Sequence, residues 1–173
     1  GPGFAAASTW SAQIALPSAS YTQPASWTRF QQHALEELRA LPGVVEAGFT
    51  SVLPFSGPNE LGSLLVDGYV RPAAGAEPHA QHRRIDDGYL RALGIRLVAG
   101  RHYNASEAEP VVIVDENVAA KFWPNGDALG QRIRHNEDPA DRWFTIIGIT
   151  AAVKDATLAG APSKETIYWH HTQ

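Results

Sequence analysis

No cysteine occurs in the 173 residues, which excludes a disulfide framework and thiolate chemistry and leaves the redox compartment open. Charge is sparse as well, with 18% Asp, Glu, Lys and Arg and a net of -4. The basic residues are scattered and form no stripe, so nothing points to a nucleic-acid partner or to long-range attraction by anionic lipid. Long apolar runs are missing. The longest, such as Phe144 to Val153, fall far short of the roughly 20 residues a membrane helix needs. The first residues show no charged start followed by an apolar run, so no signal peptide is expected. There is no G-x-S-x-G elbow, H-E-x-x-H, P-loop or dinucleotide fingerprint, and hence no expected ATP site in this segment. What is present is a 44% hydrophobic composition, enough to bury a core as one domain or two small lobes.

The densest local signal is Val111 to Gly130. Val111 to Val114 is an unbroken β-branched run, the pattern of a strand buried on both faces. Asp115 can cap a following helix, with Glu116 in its first turn and Lys121 near its end, each placed to suit the helix dipole. Val118, Ala119, Phe122 and Trp123 share one helical face, Pro124 stops the helix, and Arg132 to Arg134 begins a new extended piece.

Elsewhere, Ser8 to Leu16 reads as a strand and Pro24 as the first turn of a helix whose apolar face is Trp27, Phe30, Ala34, Leu35, Leu38 and Leu41. That helix is expected to bury Phe30, Leu35 and Leu38, and with a strand over Val44 to Leu53 it would complete a βαβ unit. Pro54 to Asn59 is a turn-rich break. Leu61 to Val70 and Pro78 to Ile85 read as a hairpin with a loose tip over Arg71 to Glu77. Asp86 or Asp87 can cap a short helix through Leu93, Gly94 supplies its exit, and Ile95 to Val98 is a strand ending at Gly100. Asn104 to Pro110, Asn136 to Arg142 and Asp155 to Pro162 read as loops, and Trp143 to Val153 and Lys164 to Trp169 as strands. Many strands with few short helices indicate an α+β fold.

Six stretches in order carry a resemblance: Gly1 to Phe4, Leu38 to Gly43, Ser51 to Gly57, Asp87 to Arg101, Val111 to Gly130 and Trp143 to Ala152. Together they resemble the periplasmic core domain of MacB/FtsX-type ABC transporter permeases. The resemblance implies a single periplasmic core domain over 1–173 with two lobes. A porter-like βαβ lobe would take both chain ends, about 8–57 plus 143–173, and a mainly-β distal lobe would be inserted over about 58–142. It implies a non-catalytic extracytoplasmic domain of a bacterial inner-membrane protein, coupling cytoplasmic ATP hydrolysis to periplasmic movement for export or signalling. The implied partners are membrane helices of its own parent chain, a cytoplasmic ATP-binding subunit or domain, a second permease unit, and a periplasmic adaptor or other periplasmic protein. As a loop between membrane helices, it would have Ser8 to Leu16 beside Lys164 to Trp169, and Gly1 and Gln173 on one side. A freestanding extracytoplasmic binding module is the alternative.

Residue chemistry gives no catalytic, cofactor-binding or metal site. His79 and His82 have H-x-x-H spacing, but on a strand that spacing places them on opposite faces, and His170-His171 diverge for the same reason. His33, His102 and His135 read as surface or satisfied residues. Asp86-Asp87 and Glu107 with Glu109 could serve acid–base chemistry, yet a helix cap and a solvated loop account for them. Asn104-Ala105-Ser106 matches the short glycosylation tripeptide. Aromatics such as Trp10, Trp143, Phe144, Tyr168 and Trp169 read as core, with an aromatic-lined groove as the other use.

Overall fold

The computed structural model describes residues 3–16, 23–53, 61–70, 77–154 and 164–173. Seven strands occur among them: β1 Leu61–Val66, β2 His79–Ile85, β3 Leu97–Gly100, β4 Val111–Asp115, β5 Arg132–His135, β6 Phe144–Thr150 and β7 Thr166–His170. The helices are α1 Pro24–Ala40, α2 Tyr89–Ala92 and α3 Glu116–Phe122. The strands join in one sheet of order β3-β6-β4-β7-β2-β1-β5, and β5 pairs back onto β6 at Arg132↔Thr145 and Ile133↔Phe144. The sheet thus closes on itself, with β3 left on its outer side. The fold is α+β, as the alternation of patterns indicates. β6 and β7 lie among strands of 58–142 in this sheet, so the sheet itself has no break at 57 or 143.

Closure creates an inside and an outside. Leu64, Val66, Ala80, Val112, Val114, Ile133, Phe144, Ile146, Ile149, Ile167 and Trp169 form the inner core, with Val118 and Phe122 of α3 packed on it. Ile85, Tyr89, Leu90, Leu93, Ile95, Tyr103, Val111, Ile113, Val153 and Tyr168 form a second core outside the ring. β4 is therefore buried throughout, Val112 and Val114 facing in and Val111 and Ile113 facing out, as its β-branched run requires. Burying each such side chain stabilises by about 1.5–3 kcal/mol. The β4–β6 register shifts between Val112 and Ile113, so β6 gains one residue there. That bulge lets Ile146 and Ile149, three apart, both face the inner core.

The Asp115 cap forms as read from sequence: Oδ1 accepts the Val118 N–H at 2.9 Å. The β1–β2 hairpin is antiparallel, α2 and β3 follow it, and Gly94 takes a positive φ of 64° at the α2 exit.

Three expectations are corrected. Ser8 to Leu16 is not a strand: a 3-10 turn covers Ala6–Ser8, and the run beyond it is exposed, with Trp10 97% accessible. Because β5 pairs back onto β6, the ring leaves no gap for another strand, and no neighbour relation with β7 arises. Val44 to Leu53 makes only an isolated antiparallel bridge, Thr50↔Ile85, so no parallel βαβ unit forms around α1. Pairing of β1 reaches Gln81 of β2, and the segment at Thr50 laps the remaining end of the same strand edge. The third concerns α1, which starts at Pro24 as read: among its described residues Leu35 is buried, at 8% exposure, Phe30 is half-buried and Leu38 stays 42% exposed.

Gly1, and with it the expectation that Gly1 and Gln173 share one side, lies outside the described residues, as do the break expected over Pro54 to Asn59 and the loop expected over Asp155 to Pro162. Gly3 packs against Ala152 and Val153, beyond the C-terminal end of β6, whereas Gln173 donates from Nε2 to the Glu109 carbonyl at 2.6 Å, ahead of β4. Since β4 and β6 are parallel, these contacts sit at opposite ends of the strand pair.

Candidate functional site

Where β2 ends, four pieces of chain converge: the C-terminal turn of α1, the segment after it, the start of α2, and the residues following β7. Glu46 is the hub. Its Oε1 accepts from Arg39 Nε at 3.1 Å and its Oε2 from Arg91 Nε at 3.2 Å, while Arg39 Nη2 also donates to the Ala47 carbonyl at 2.8 Å. Burial pushes the Glu46 carboxyl up, but the Ala47 amide, Arg91 and Arg39 outweigh it and hold it below the ordinary carboxylate value.

Asp86 sits beneath this clasp, 2% exposed. Its Oδ1 accepts the Phe49 N–H at 2.9 Å and the Tyr89 N–H at 3.0 Å, so one oxygen holds both the first residue of α2, whose N-cap is Gly88, and the incoming segment. Burial raises its pKa above the usual value, against the lowering effect of these amides. Gly48 and Gly88 make the approach possible. A Cβ on Gly48 would overlap the Tyr89 backbone, and one on Gly88 the Ala47 carbonyl.

The lap continues beside β2. Ser51 N–H donates to the Arg84 carbonyl at 2.9 Å, Arg83 Nη1 to the Val52 carbonyl at 2.6 Å, and His171 N–H to the Ile85 carbonyl at 2.9 Å. Arg84 Nη1 reaches the Gln173 carbonyl at 3.2 Å. The end of the chain and the segment leading from α1 therefore meet on the same three residues, Arg83 to Ile85. Sequence reasoning missed Glu46, Arg39 and Arg91. The legible signal was Gly48 inside an expected strand, since a strand-interior glycine marks close backbone approach.

The histidines fall into two groups. His82 donates from Nε2 to the Gly62 carbonyl at 3.1 Å and accepts at Nδ1 from the Trp169 indole N–H at 2.8 Å. His79 meets the Glu77 carbonyl at 2.7 Å through Nδ1 and, although three residues along β2 set it on the other face from His82, it lines the rim of the same cleft. That cleft, of about 340 Å³, is bounded by Leu61, Gly62, Ser63, His79, His82, His135 and Glu137. His170 is 3% exposed, beside Tyr103 and His171, and contacts Thr172 Oγ1 at 2.7 Å. Burial lowers the pKa of both His170 and His171. His33 is exposed, and burial also lowers His102. Among the described residues no group of three or more His, Asp or Glu is placed to hold a metal ion.

The remaining candidates have structural partners. Glu107 forms a two-pronged ion pair with Arg101 at 2.8 and 3.0 Å, which lowers its pKa, and Glu109 is exposed. Asp87 lies 3.9 Å from Arg91. Asn104 Oδ1 accepts the Ser106 N–H at 3.0 Å in a turn. Phe144, Tyr168 and Trp169 are core, as expected, whereas Trp10 is not. Trp143 instead has the guanidinium groups of Arg132 and Arg134 over its ring, at 5.7 and 5.4 Å from the centroid.

Comparison with known proteins agrees with the family resemblance. The family described as the MacB-like periplasmic core domain matches residues 4–170. The fold is similar to the periplasmic region of MacB from Actinobacillus actinomycetemcomitans, at 18% identity and a TM-score of 0.52 over 82% of this chain. It is equally similar to a domain of a putative permease protein from Porphyromonas gingivalis, at 21% identity and a TM-score of 0.53 over 81% of this chain. The chain spans 55% of the length of each of these two structures. No curated protein matches it. With nearly its whole length matched, the chain belongs to the MacB-like periplasmic core domain family of ABC transporter permeases.

Proposed function

We propose that this domain is a non-catalytic transmission element, which couples ATP hydrolysis by a separate cytoplasmic subunit or domain to movement outside the membrane, for export or signalling. Its parent chain supplies the flanking membrane helices, and a second permease unit and a periplasmic protein are the further partners. The observation that carries this reading is the junction at Glu46 and Asp86, taken with the family match over 4–170. The closed sheet has two apolar cores and behaves as a rigid body. By contrast, the α1 segment and the last residues of the chain meet it largely through ion pairs and hydrogen bonds, with Leu53 against the outer core, and the exposed ion pairs among these can be remade at small cost. Motion of the hinge or rigid-body kind would then be absorbed at the junction while the sheet keeps its shape.

Because the chain has no cysteine, spin labels can be placed at chosen sites. Gln32→Cys on α1 and Ala140→Cys beyond β5 are both exposed. In the parent transporter assembled with its ATPase in lipid nanodiscs, the label-to-label distance distribution is expected to shift between the nucleotide-free and the ATP–vanadate states. A distribution that stays the same through the cycle would remove the transmission reading in favour of a passive binding module, leaving the family assignment intact.

A further inference from the structure

Gly62, in the middle of the β2–β1–β5 region, has no side chain, and two imidazoles close over the space. A Cβ there would lie 2.9 Å from His82 Nε2 and 3.1 Å from His135 Nε2. The His82 and His135 rings are 4.6 Å apart in an edge contact, and the Trp169 ring stacks on His82 at 5.7 Å with only 8° between planes. We infer that His82, His135 and Trp169 form an acid-sensitive latch, which holds β5 to the β2–β7 pair while the His82 imidazole is neutral and releases it when that ring is charged.

The hydrogen bonds fix the direction of the effect. The Trp169 indole has one N–H and can only donate, so His82 Nδ1 must carry its lone pair, and the proton sits on Nε2 facing the Gly62 carbonyl. A second proton on His82 has to go to Nδ1, where it meets the indole N–H head-on and breaks that bond. His135 Nδ1 accepts the Glu137 N–H at 3.1 Å, which turns its Nε2 toward Gly62 and His82.

The charged and titratable groups facing His82 are His79 and Arg84 on its own strand, His135 on β5, and Glu137 at the rim of the cleft. All but Glu137 oppose a second positive charge. Burial is the largest influence and, with these neighbours, takes His82 down to about 4. The sign follows: a histidine held below its ordinary value near 6.5 contributes stability above that pH, and the contribution is lost as pH falls toward 4. The geometry holds whether or not the domain is driven by an ATPase.

The test is nitrogen-15 NMR of the 173-residue chain from pH 8 to pH 3.5. At pH 7 His82 is expected as the Nε2–H tautomer, with the Trp169 indole proton protected from solvent exchange. On acidification that protection should fall at least tenfold with the same midpoint as His82 protonation. Trp169→Phe removes the opposing N–H but keeps an aromatic ring, and should raise the His82 midpoint by about one pH unit. His135→Gln removes one repelling charge and should also raise it. A protected indole proton down to pH 3.5, or a His82 midpoint unmoved by Trp169→Phe, would overturn the latch.

Discussion

The β4–β7 pair and the segment 3–53 are built from similar residues and end in opposite circumstances. Every residue of β4 and β7 is buried. In the segment 3–53, Trp10 and Val45 are each 97% exposed, and Leu35 is the buried hydrophobic residue of α1. The difference lies in what each piece meets. β4 has β6 on one side, β7 on the other, and a core on each face, so its backbone and side chains are satisfied together. Residues 23–53 meet the rest of the chain at the Thr50 bridge, the Asp86 anchor, the Glu46 clasp and the bonds of Ser51 and Val52 to Arg84 and Arg83, with Leu53 against the outer core. Stability is concentrated in the sheet, and residues 23–53 are held by fewer apolar contacts and more polar ones.

The comparison breaks most visibly at the centre of the sheet. Ile113 is fully buried, and Ile113→Ala should cost roughly 2–5 kcal/mol, because the outer core packed on it relaxes only partly onto the cavity. Leu38→Ala, at 42% exposure, should cost under about 1 kcal/mol. Urea unfolding of the two variants measures both, and equal losses would show that α1 is docked more deeply than its exposure indicates.

Asp115 comes next, as a buried carboxyl at the end of β4. It is 0% exposed, and burial raises its carboxyl to about 7 despite the amides it accepts. A carboxyl raised in the folded state favours folding most when protonated, so its contribution is present below the unfolded value near 3.8 and is lost as pH rises through about 7. Asp115→Asn keeps an oxygen for the Val118 N–H and should remove that dependence, gaining on the native chain by on the order of a few kcal/mol between pH 4 and pH 8. Parallel stability curves for the two proteins across this range would show that Asp115 stays ionised throughout.

Tyr103 repairs the ladder between the same strands. Its hydroxyl accepts the Ile113 N–H at 3.1 Å and donates to the Tyr168 carbonyl at 2.6 Å, and burial drives its phenol pKa well above normal. Tyr103→Phe strands both backbone groups away from water and should cost about 1–3 kcal/mol. A cost near zero would mean that β4 and β7 close directly once the hydroxyl is gone.

What was legible in the sequence follows the same division. The run from Val111 to Phe122 could be read because its strand pattern, cap and helix face are set by residues within one turn of each other. The hairpin, α2, β3, β6 and β7 were legible for the same local reason. Ser8 to Leu16 and Val44 to Leu53 failed because alternation describes a strand's faces and says nothing of whether an edge is available to pair with. The bulge at Ile147 hides in an ordinary apolar run. His82 and His135 meet only because β1 between them carries Gly62, a juxtaposition fixed by pairing and not by spacing. The clasp was the least visible, since Arg39, Glu46 and Arg91 are ordinary surface charges until the fold brings them together.

The smallest effect expected is at that clasp, and it sharpens the comparison most. Arg39, Glu46 and Arg91 side chains are 38%, 24% and 42% exposed, so water screens their attraction and unfolding releases little. Glu46→Gln should lower global stability by less than about 1 kcal/mol. Locally the consequence is larger, because Glu46 also accepts the Ala47 N–H and, through Arg39, steadies the Ala47 carbonyl beside Gly88. Hydrogen exchange at Ala47 and Phe49 should therefore quicken in Glu46→Gln, while the amides of β4 and β7 keep their rates. High salt should reproduce the same pattern in the native chain. If exchange in β4 and β7 quickens equally, the junction and the sheet open as one unit, and the segment 3–53 is part of the rigid body after all.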